Sequence, residues 1–315
     1  RAEAERDLGQ FYPFLAGLPG ADIKISVYDA EHAAAECELA FLAVPAGTAL
    51  RMAPDLLGRG VKVIDFSADF RLEDPDVYQQ WYGEPHTARE ALASAVYGLP
   101  ELNAAAIRNA NLVANPGCYP TASILGLAAA LKHDLVDPDT IIIDAASGAS
   151  GAGRKPVIPN LYCEISDNFR AYGAPRHRHT PEIEQELGKL AGSPLTLTFT
   201  PHILPMKRGI LATIYARLRD PQMPVSQIRD IFAAFWAGEK WLRLLPEGAL
   251  PETAHVRGSM YCDIAVLKDD RTGRLIILCA IDNLCRGAAG QALANANLMS
   301  GLAVDCGMEN LCPLP

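Results

Sequence analysis

Apolar residues come in short unbroken runs along the first part of this chain and alternate with polar ones later. The run Leu39 to Val44 is continuous, ends in Pro45-Ala46-Gly47-Thr48, and precedes a helical stretch reaching about Leu57. A second run, Val61 to Phe66, ends in Ser67-Ala68-Asp69. Strand, turn, helix and strand at this spacing predict a parallel β-α-β unit buried on both faces. Leu112 to Asn115 adds a short strand that passes through Pro116-Gly117-Cys118 into a long helix starting near Pro120.

From about residue 140 the texture changes. Thr140 to Ala145 predicts a strand that enters a glycine-rich loop. Leu195 to Phe199 and Leu211 to Leu218 alternate, as strands of an antiparallel sheet covered on one face do. Pro221 to Trp241 reads as a helix at the sheet edge. Tyr261 to Leu267 and Leu275 to Ile281 form a hairpin around Asp269-Asp270-Arg271-Thr272-Gly273. A last helix after Asp282-Asn283 carries the small residues Ala288, Ala289, Ala292 and Ala296, which permit close packing.

A nucleotide-binding parallel sheet normally opens with a strand and a Gly-rich turn whose N–H groups meet a pyrophosphate. Nothing of that kind precedes Leu39. The expectation is therefore that this strand and turn are missing, so that Leu39 to Val44 lacks a neighbour on one side.

Charge narrows the function. With 28 basic and 37 acidic residues the net charge is −9, which disfavours a nucleic-acid partner. No apolar stretch approaches the roughly 18 residues a membrane span needs. Ala122 to Leu131 and Leu275 to Ile281 are too short and read as buried elements. The charged opening is no signal peptide, so the expected location is cytoplasmic. Eight scattered Cys without a C-x-x-C pattern make neither a disulfide framework nor a metal site. Seven of them are expected to be small buried hydrophobes; Cys118 stands apart.

In Asn115-Pro116-Gly117-Cys118-Tyr119-Pro120-Thr121-Ala122 a strand ends, Gly117 allows a sharp turn, and Pro120 suits a first helical turn. Cys118 then sits at a helix N-terminus, where free N–H groups stabilise a thiolate or an oxyanion. The alternative is a cysteine that merely packs against the sheet. A thiol that takes an acyl group needs a proton carrier near neutrality, which favours His. His177 and His179 lie in His177-Arg178-His179-Thr180-Pro181-Glu182-Ile183-Glu184. Thr180 is expected to cap the helix that Pro181 opens, with Glu182 and Glu184 in its first turn and so a carboxylate within reach to orient the His179 ring. His202 follows a strand and divides evenly between packing and site. His32, His86, His133 and His255 are expected to face solvent. The loop Ser147 to Lys155 is rich in glycine and closes on Arg154-Lys155, which suits an anion or a nicotinamide ribose.

These stretches resemble the N-acetyl-gamma-glutamyl-phosphate reductase family, structural cousins of aspartate-semialdehyde dehydrogenase. The resemblance is carried by Asn115 to Thr121, Ser147 to Lys155, Tyr172 to Ile183, Phe199 to His202, Pro205 to Leu211 and Asp282 to Ala292. It implies an α/β enzyme with a Rossmann-type parallel-sheet domain, its first strand and Gly-rich turn missing, over residues 1–117 and 283–315. An α+β catalytic and oligomerisation domain, largely antiparallel, would span 118–282. It implies NADPH-dependent reduction of N-acetyl-gamma-glutamyl phosphate to the semialdehyde with release of phosphate, a step of arginine biosynthesis. Cys118 would carry the thioester and His179 the proton, with His177 and Glu182 in support. Arg208, His202 and Arg178 would bind the substrate. NADP(H) would meet Ser147, Gly148, Ser150, Gly151, Gly153, Asn283, Pro45 and Ser67. The partners implied are a small-molecule substrate and other copies of the chain, as a homodimer or homotetramer, with no metal. A cofactor-free Cys-His acyl hydrolase and a non-catalytic assembly protein are the readings from other classes.

Overall fold

The structure is a computed structural model and describes residues 6–19, 22–153 and 155–308. In chain order its strands are β1 (Arg6–Asp7), β2 (Lys24–Ile25), β3 (Leu39–Leu42), β4 (Lys62–Asp65), β5 (Val96–Tyr97), β6 (Leu112–Ala114) and β7 (Val136–Gly148). They continue with β8 (Arg170–Ala171), β9 (Thr198–Leu204), β10 (Ile210–Leu218), β11 (Leu242–Leu244), β12 (Cys262–Asp269) and β13 (Arg274–Ile281).

The continuous apolar runs pair in parallel, in the order β3-β4-β6-β5. Among the described residues β3 pairs on one side only, and Phe41 on it is exposed. Ile64 and Val113 pack against Ala292, Ala296 and Leu298, so the last helix does return to this sheet. The Ala49–Gly58 helix covers the other face through Leu50, Ala53 and Leu56.

The later strands form a seven-stranded sheet, β11-β12-β13-β10-β7-β9-β8. It is mostly antiparallel, with β7/β9 and β11/β12 parallel. On its covered face lies the Cys118–Lys132 helix, buried at every position from Tyr119 to Leu131. That explains the apolar run Ala122 to Leu131: this helix has neighbours all round, and none faces water. A Cβ on Gly126 would come within 3.0 Å of Ile214 Cδ1, so glycine lets helix and sheet approach. No helix among the described residues is long and apolar enough to cross a membrane.

Several boundaries move. The edge helix is Val225–Phe235, shorter than 221–241. The strand expected from Leu195 begins at Thr198, because β7 offers its first partner there, at Ile142. His202 therefore lies inside β9. Thr180 does not cap its helix: the helix begins at Thr180, and the hydroxyl has no hydrogen-bond partner among the described residues. His86 does not face solvent. Its Nε2 bonds the Asp69 carbonyl at 2.7 Å and its ring packs edge-on to Phe70 and Tyr78. Cys37, Cys163 and Cys306 are exposed and Cys285 is half-buried; of the described cysteines only Cys262 and Cys279 behave as small buried hydrophobes.

Candidate active site

β6 ends at Ala114, and Asn115-Pro116-Gly117 turn the chain so that Cys118 is the first residue of its helix. Gly117 has φ −68 and ψ 155, a conformation any residue adopts. What it supplies is room. A Cβ there would meet His179 Nε2 at 2.6 Å and Arg71 Nη1 at 2.9 Å. The imidazole of His179 thus lies over the residue preceding the thiol. From the other side, a Cβ on Gly287 would come within 2.6 Å of Cys118 Cβ. Cys118 sits between two bare glycines and stays half-buried.

Burial pushes the Cys118 thiol up to about 11, despite the Tyr119 N–H bonded to its sulfur and the Arg71 charge. Burial likewise holds His179 well below the ordinary imidazole range, helped by His177 and Arg71. The resting pair is neutral thiol and neutral imidazole. The thiolate expected from the helix N-terminus is overridden, because desolvation opposes the charged form more than the local donors favour it.

Glu182 does not orient His179. It is 1% exposed; one oxygen accepts from Gly117 N–H and Tyr97 Oη, both at 2.8 Å, and the other from Arg71 Nη1 at 3.2 Å. Arg71 completes the knot by donating to the carbonyls of Asn115 and Phe66, each at 2.8 Å. Sequence reasoning missed Arg71. Its one signal was position, just after the Ser67-Ala68-Asp69 strand end. His179, three residues before Glu182 on the same helix start, is carried with it onto Gly117.

His177 is boxed by Tyr119, Tyr172, Phe199 and His179, with ring centroids 4.9 to 5.7 Å away. Its Nδ1 accepts the His179 N–H at 3.1 Å, and burial lowers it to about 4. His202 contributes its carbonyl, which accepts from Tyr119 Oη at 3.0 Å, while its ring packs on Phe169. The pleat puts its side chain on the half-exposed face of β9 with Thr200, away from buried Pro201 and Ile203. Arg178 is exposed over the Tyr82 ring, at 5.3 Å.

The chain after β13 joins the thiol to the glycine loop. Asn283 Oδ1 accepts from Gly209 N–H at 2.8 Å, and its Nδ2 donates to Ser150 Oγ at 3.0 Å. Gly151 has no room for a Cβ, with Ser147 Oγ 2.6 Å away. Gly148 likewise packs against the Met206-Lys207-Arg208 backbone. Gly153 alone is left-handed, at φ +78, facing open space. Arg208 Nη1 stands 3.6 Å from Asp282 Oδ2 and is partly exposed. Arg154 lies outside the described residues. The two strand-end positions are less free. Ser67 donates to Asp65 Oδ2 at 2.7 Å and accepts from Asp69 N–H. Pro45 is exposed, but the Gly47 and Ala49 N–H groups beyond it bond the Asp69 carboxylate.

The semialdehyde dehydrogenase NAD-binding domain matches residues 2–110, and the semialdehyde dehydrogenase dimerisation domain matches residues 118–283. N-acetyl-gamma-glutamyl-phosphate reductase of Geobacter sp. strain M21 is 50% identical over 313 residues, covering 99% of this chain and 89% of that protein. The chain belongs to the N-acetyl-gamma-glutamyl-phosphate reductase family. The Geobacter metallireducens member is 53% identical over 283 residues, 90% of this chain and 81% of its own. The fold reaches further than the family. Aspartate semialdehyde dehydrogenase with NADP from Candida albicans is 15% identical at a TM-score of 0.64, covering 89% of this chain and 82% of that one.

Proposed function

We propose that this chain reduces N-acetyl-gamma-glutamyl phosphate to N-acetylglutamate 5-semialdehyde with NADPH, the reductive step of arginine biosynthesis for which its relatives are named. The observation that carries the reading is Cys118 at its helix N-terminus with His179 Nε2 over the adjoining Gly117. As the Cys118 sulfur bonds to the acyl carbon, its proton passes to His179 and on to the departing phosphate. The bond from carbon to phosphate oxygen breaks, and a thioester remains on Cys118. When bound, NADPH supplies the hydride that takes the thioester to the aldehyde level. The carbon–sulfur bond then breaks, and His179 relays a solvent proton back to the thiolate. Our candidate for the oxyanion donor is the Cys118 N–H at the helix start, since the Gly117 N–H is taken by Glu182.

The residues fit that cofactor at its nicotinamide end. Asn283 and Ser150 are bonded to each other, Ser147 is buried beside Gly151, and the open space at Gly153 leaves the loop backbone approachable. Gly148 acts through packing. At the parallel sheet, exposed Pro45 is better placed for contact than Ser67, whose hydroxyl is occupied. Arg208 remains our choice for a substrate anion, because Asp282 holds it at ion-pair distance while leaving it partly exposed. Arg178 and His202 become outer contacts at most; His177 supports the His179 backbone and Glu182 anchors Gly117 and Arg71, neither touching substrate. We divide the chain into a cofactor domain, 1–117 with 283–315, and a catalytic domain, 118–282. A homodimer or homotetramer is proposed through the dimerisation region, where Ile142, Leu211, Tyr215 and Leu278 lie half-exposed on one sheet face. The place of action proposed is the cytoplasm. The test is direct: acyl phosphate should oxidise NADPH with equimolar release of phosphate. Phosphate release that ignores NADPH would favour a Cys-His hydrolase instead.

A further inference from the structure

Between Asn283 and the last helix the chain makes a single π-helical turn, Cys285–Ala289. Such turns close on the residue five back instead of four and recur at functional sites. Here it brings Gly287 against Cys118 Cβ. At its start Asp282 Oδ1 accepts the N–H groups of Leu284 and Cys285, each at 2.8 Å. Near its end the Ala288 carbonyl accepts from Asn115 Nδ2 at 3.1 Å. Beside Gly287 in it stands Arg286, the largest fully buried side chain among the described residues.

Arg286 Nη2 lies 2.5 Å from Glu101 Oε1, and both side chains are buried. The guanidinium also faces the Trp241 ring at 5.8 Å. Glu101 belongs to the Pro100–Arg108 helix, which follows β5 in the parallel sheet. A buried ion pair is an expensive way to hold a turn, because both charges must leave water and an apolar pair would pack as well. It does confine both side chains, since Arg286 and Glu101 are each other's ion-pair partner, with the Glu239 carboxylate also near the guanidinium. The Arg286 guanidinium and the Gly287 backbone are adjacent in sequence, so whatever fixes the first fixes the second.

We propose that Arg286, paired with Glu101, is a positioning residue that holds Gly287 as the wall behind the Cys118 thiol. The proposal rests on Cys118 being the nucleophile, though one of its tests does not need the reductase reaction. Arg286→Met removes the charge and keeps only an unbranched stem, Glu101→Gln removes the counter-charge at constant size, and Arg286→Lys keeps the charge. Iodoacetamide labelling of Cys118, followed by peptide-resolved mass spectrometry, reports on the wall. Steady-state kinetics reports on the reaction.

In Arg286→Met and Glu101→Gln the retreating wall should speed Cys118 labelling at least about threefold. The same variants should lower kcat about tenfold or more with KM nearly constant, since misplacement of a reacting group by about 1 Å costs up to about 100-fold. Arg286→Lys should recover most of both. A merely structural pair would lower the melting temperature and leave both readouts unmoved. The proposal fails if folded Arg286→Met labels and turns over as the wild type does. Should that variant not fold, wild-type behaviour of Glu101→Gln overturns it equally. A labelling change in a protein that shows no NADPH-dependent turnover would uphold the wall and sink the reductase reading.

Discussion

Replacing Gly117 by alanine separates geometry from stability more cleanly than any other change at this site. The backbone there accepts alanine without strain, at φ −68 and ψ 155. The difficulty is the methyl group, 2.6 Å from His179 Nε2 and 2.9 Å from His179 Cε1 and Arg71 Nη1. Ordinary contact begins near 3.4 Å, so the imidazole must withdraw by about 0.8 Å. Neither neighbour yields easily, since Arg71 is tied to Asn115, Phe66 and Glu182 and the His179 ring packs edge-on against Tyr119 and His177. Overpacking of this kind costs about 1–3 kcal/mol. Part is offset by about 0.4–1 kcal/mol, because alanine leaves the unfolded chain less freedom. The net loss is about 1–2 kcal/mol, a melting-point drop of a few degrees in a protein of this size. A displacement approaching 1 Å should nevertheless lower kcat on the order of 100-fold. Calorimetry and steady-state kinetics on one preparation give both numbers. Gly58→Ala, at a helix end with open space around it, is the control for the glycine change itself. If Gly117→Ala kept a third or more of its activity while remaining folded, His179 would not be the proton carrier.

Three further outcomes follow from the same geometry. Glu182→Ala should cost about 3–5 kcal/mol, because it leaves Arg71 charged and buried, and a double-mutant cycle with Arg71→Met should recover part of it; strict additivity would dissolve the knot. Arg208→Lys should raise the substrate KM roughly tenfold, as a bidentate partner is lost, and unchanged kinetics would remove Arg208 from the site. Cys118 is held as a thiol up to about 11, so its labelling rate in the free protein should climb about tenfold per pH unit through neutrality; a plateau below about pH 8 would mean a thiolate already formed by the helix N-terminus.

The elements and the place of Cys118 at a helix start were readable because each rests on a local pattern. Continuous apolar runs marked β3, β4 and β6, alternation marked β10, and Gly117-Cys118 marked the start of a buried helix. Arg71 was not readable, since its partners Asn115 and Glu182 are distant in sequence and meet it only in the fold. The role of Glu182 was misjudged for the same reason: proximity in sequence suggested His179, whereas tertiary contact delivered Gly117, Tyr97 and Arg71. His202 depended on a strand boundary. Once β9 is seen to start at Thr198 and pair with β7, the pleat directs His202 away from the thiol helix. The protonation states needed the depth of burial, which charge patterning alone does not contain.

The central claim is that Cys118 takes the acyl group, and it can be tested without any cofactor. The protein mixed with N-acetyl-gamma-glutamyl phosphate alone, quenched in acid and digested, should carry one acyl adduct on the peptide containing Cys118. One phosphate should be released for each adduct, and Cys118→Ser should show no such thioester. An adduct on the exposed Cys37, Cys163 or Cys306 in place of Cys118, or phosphate released with no adduct at all, would contradict the account.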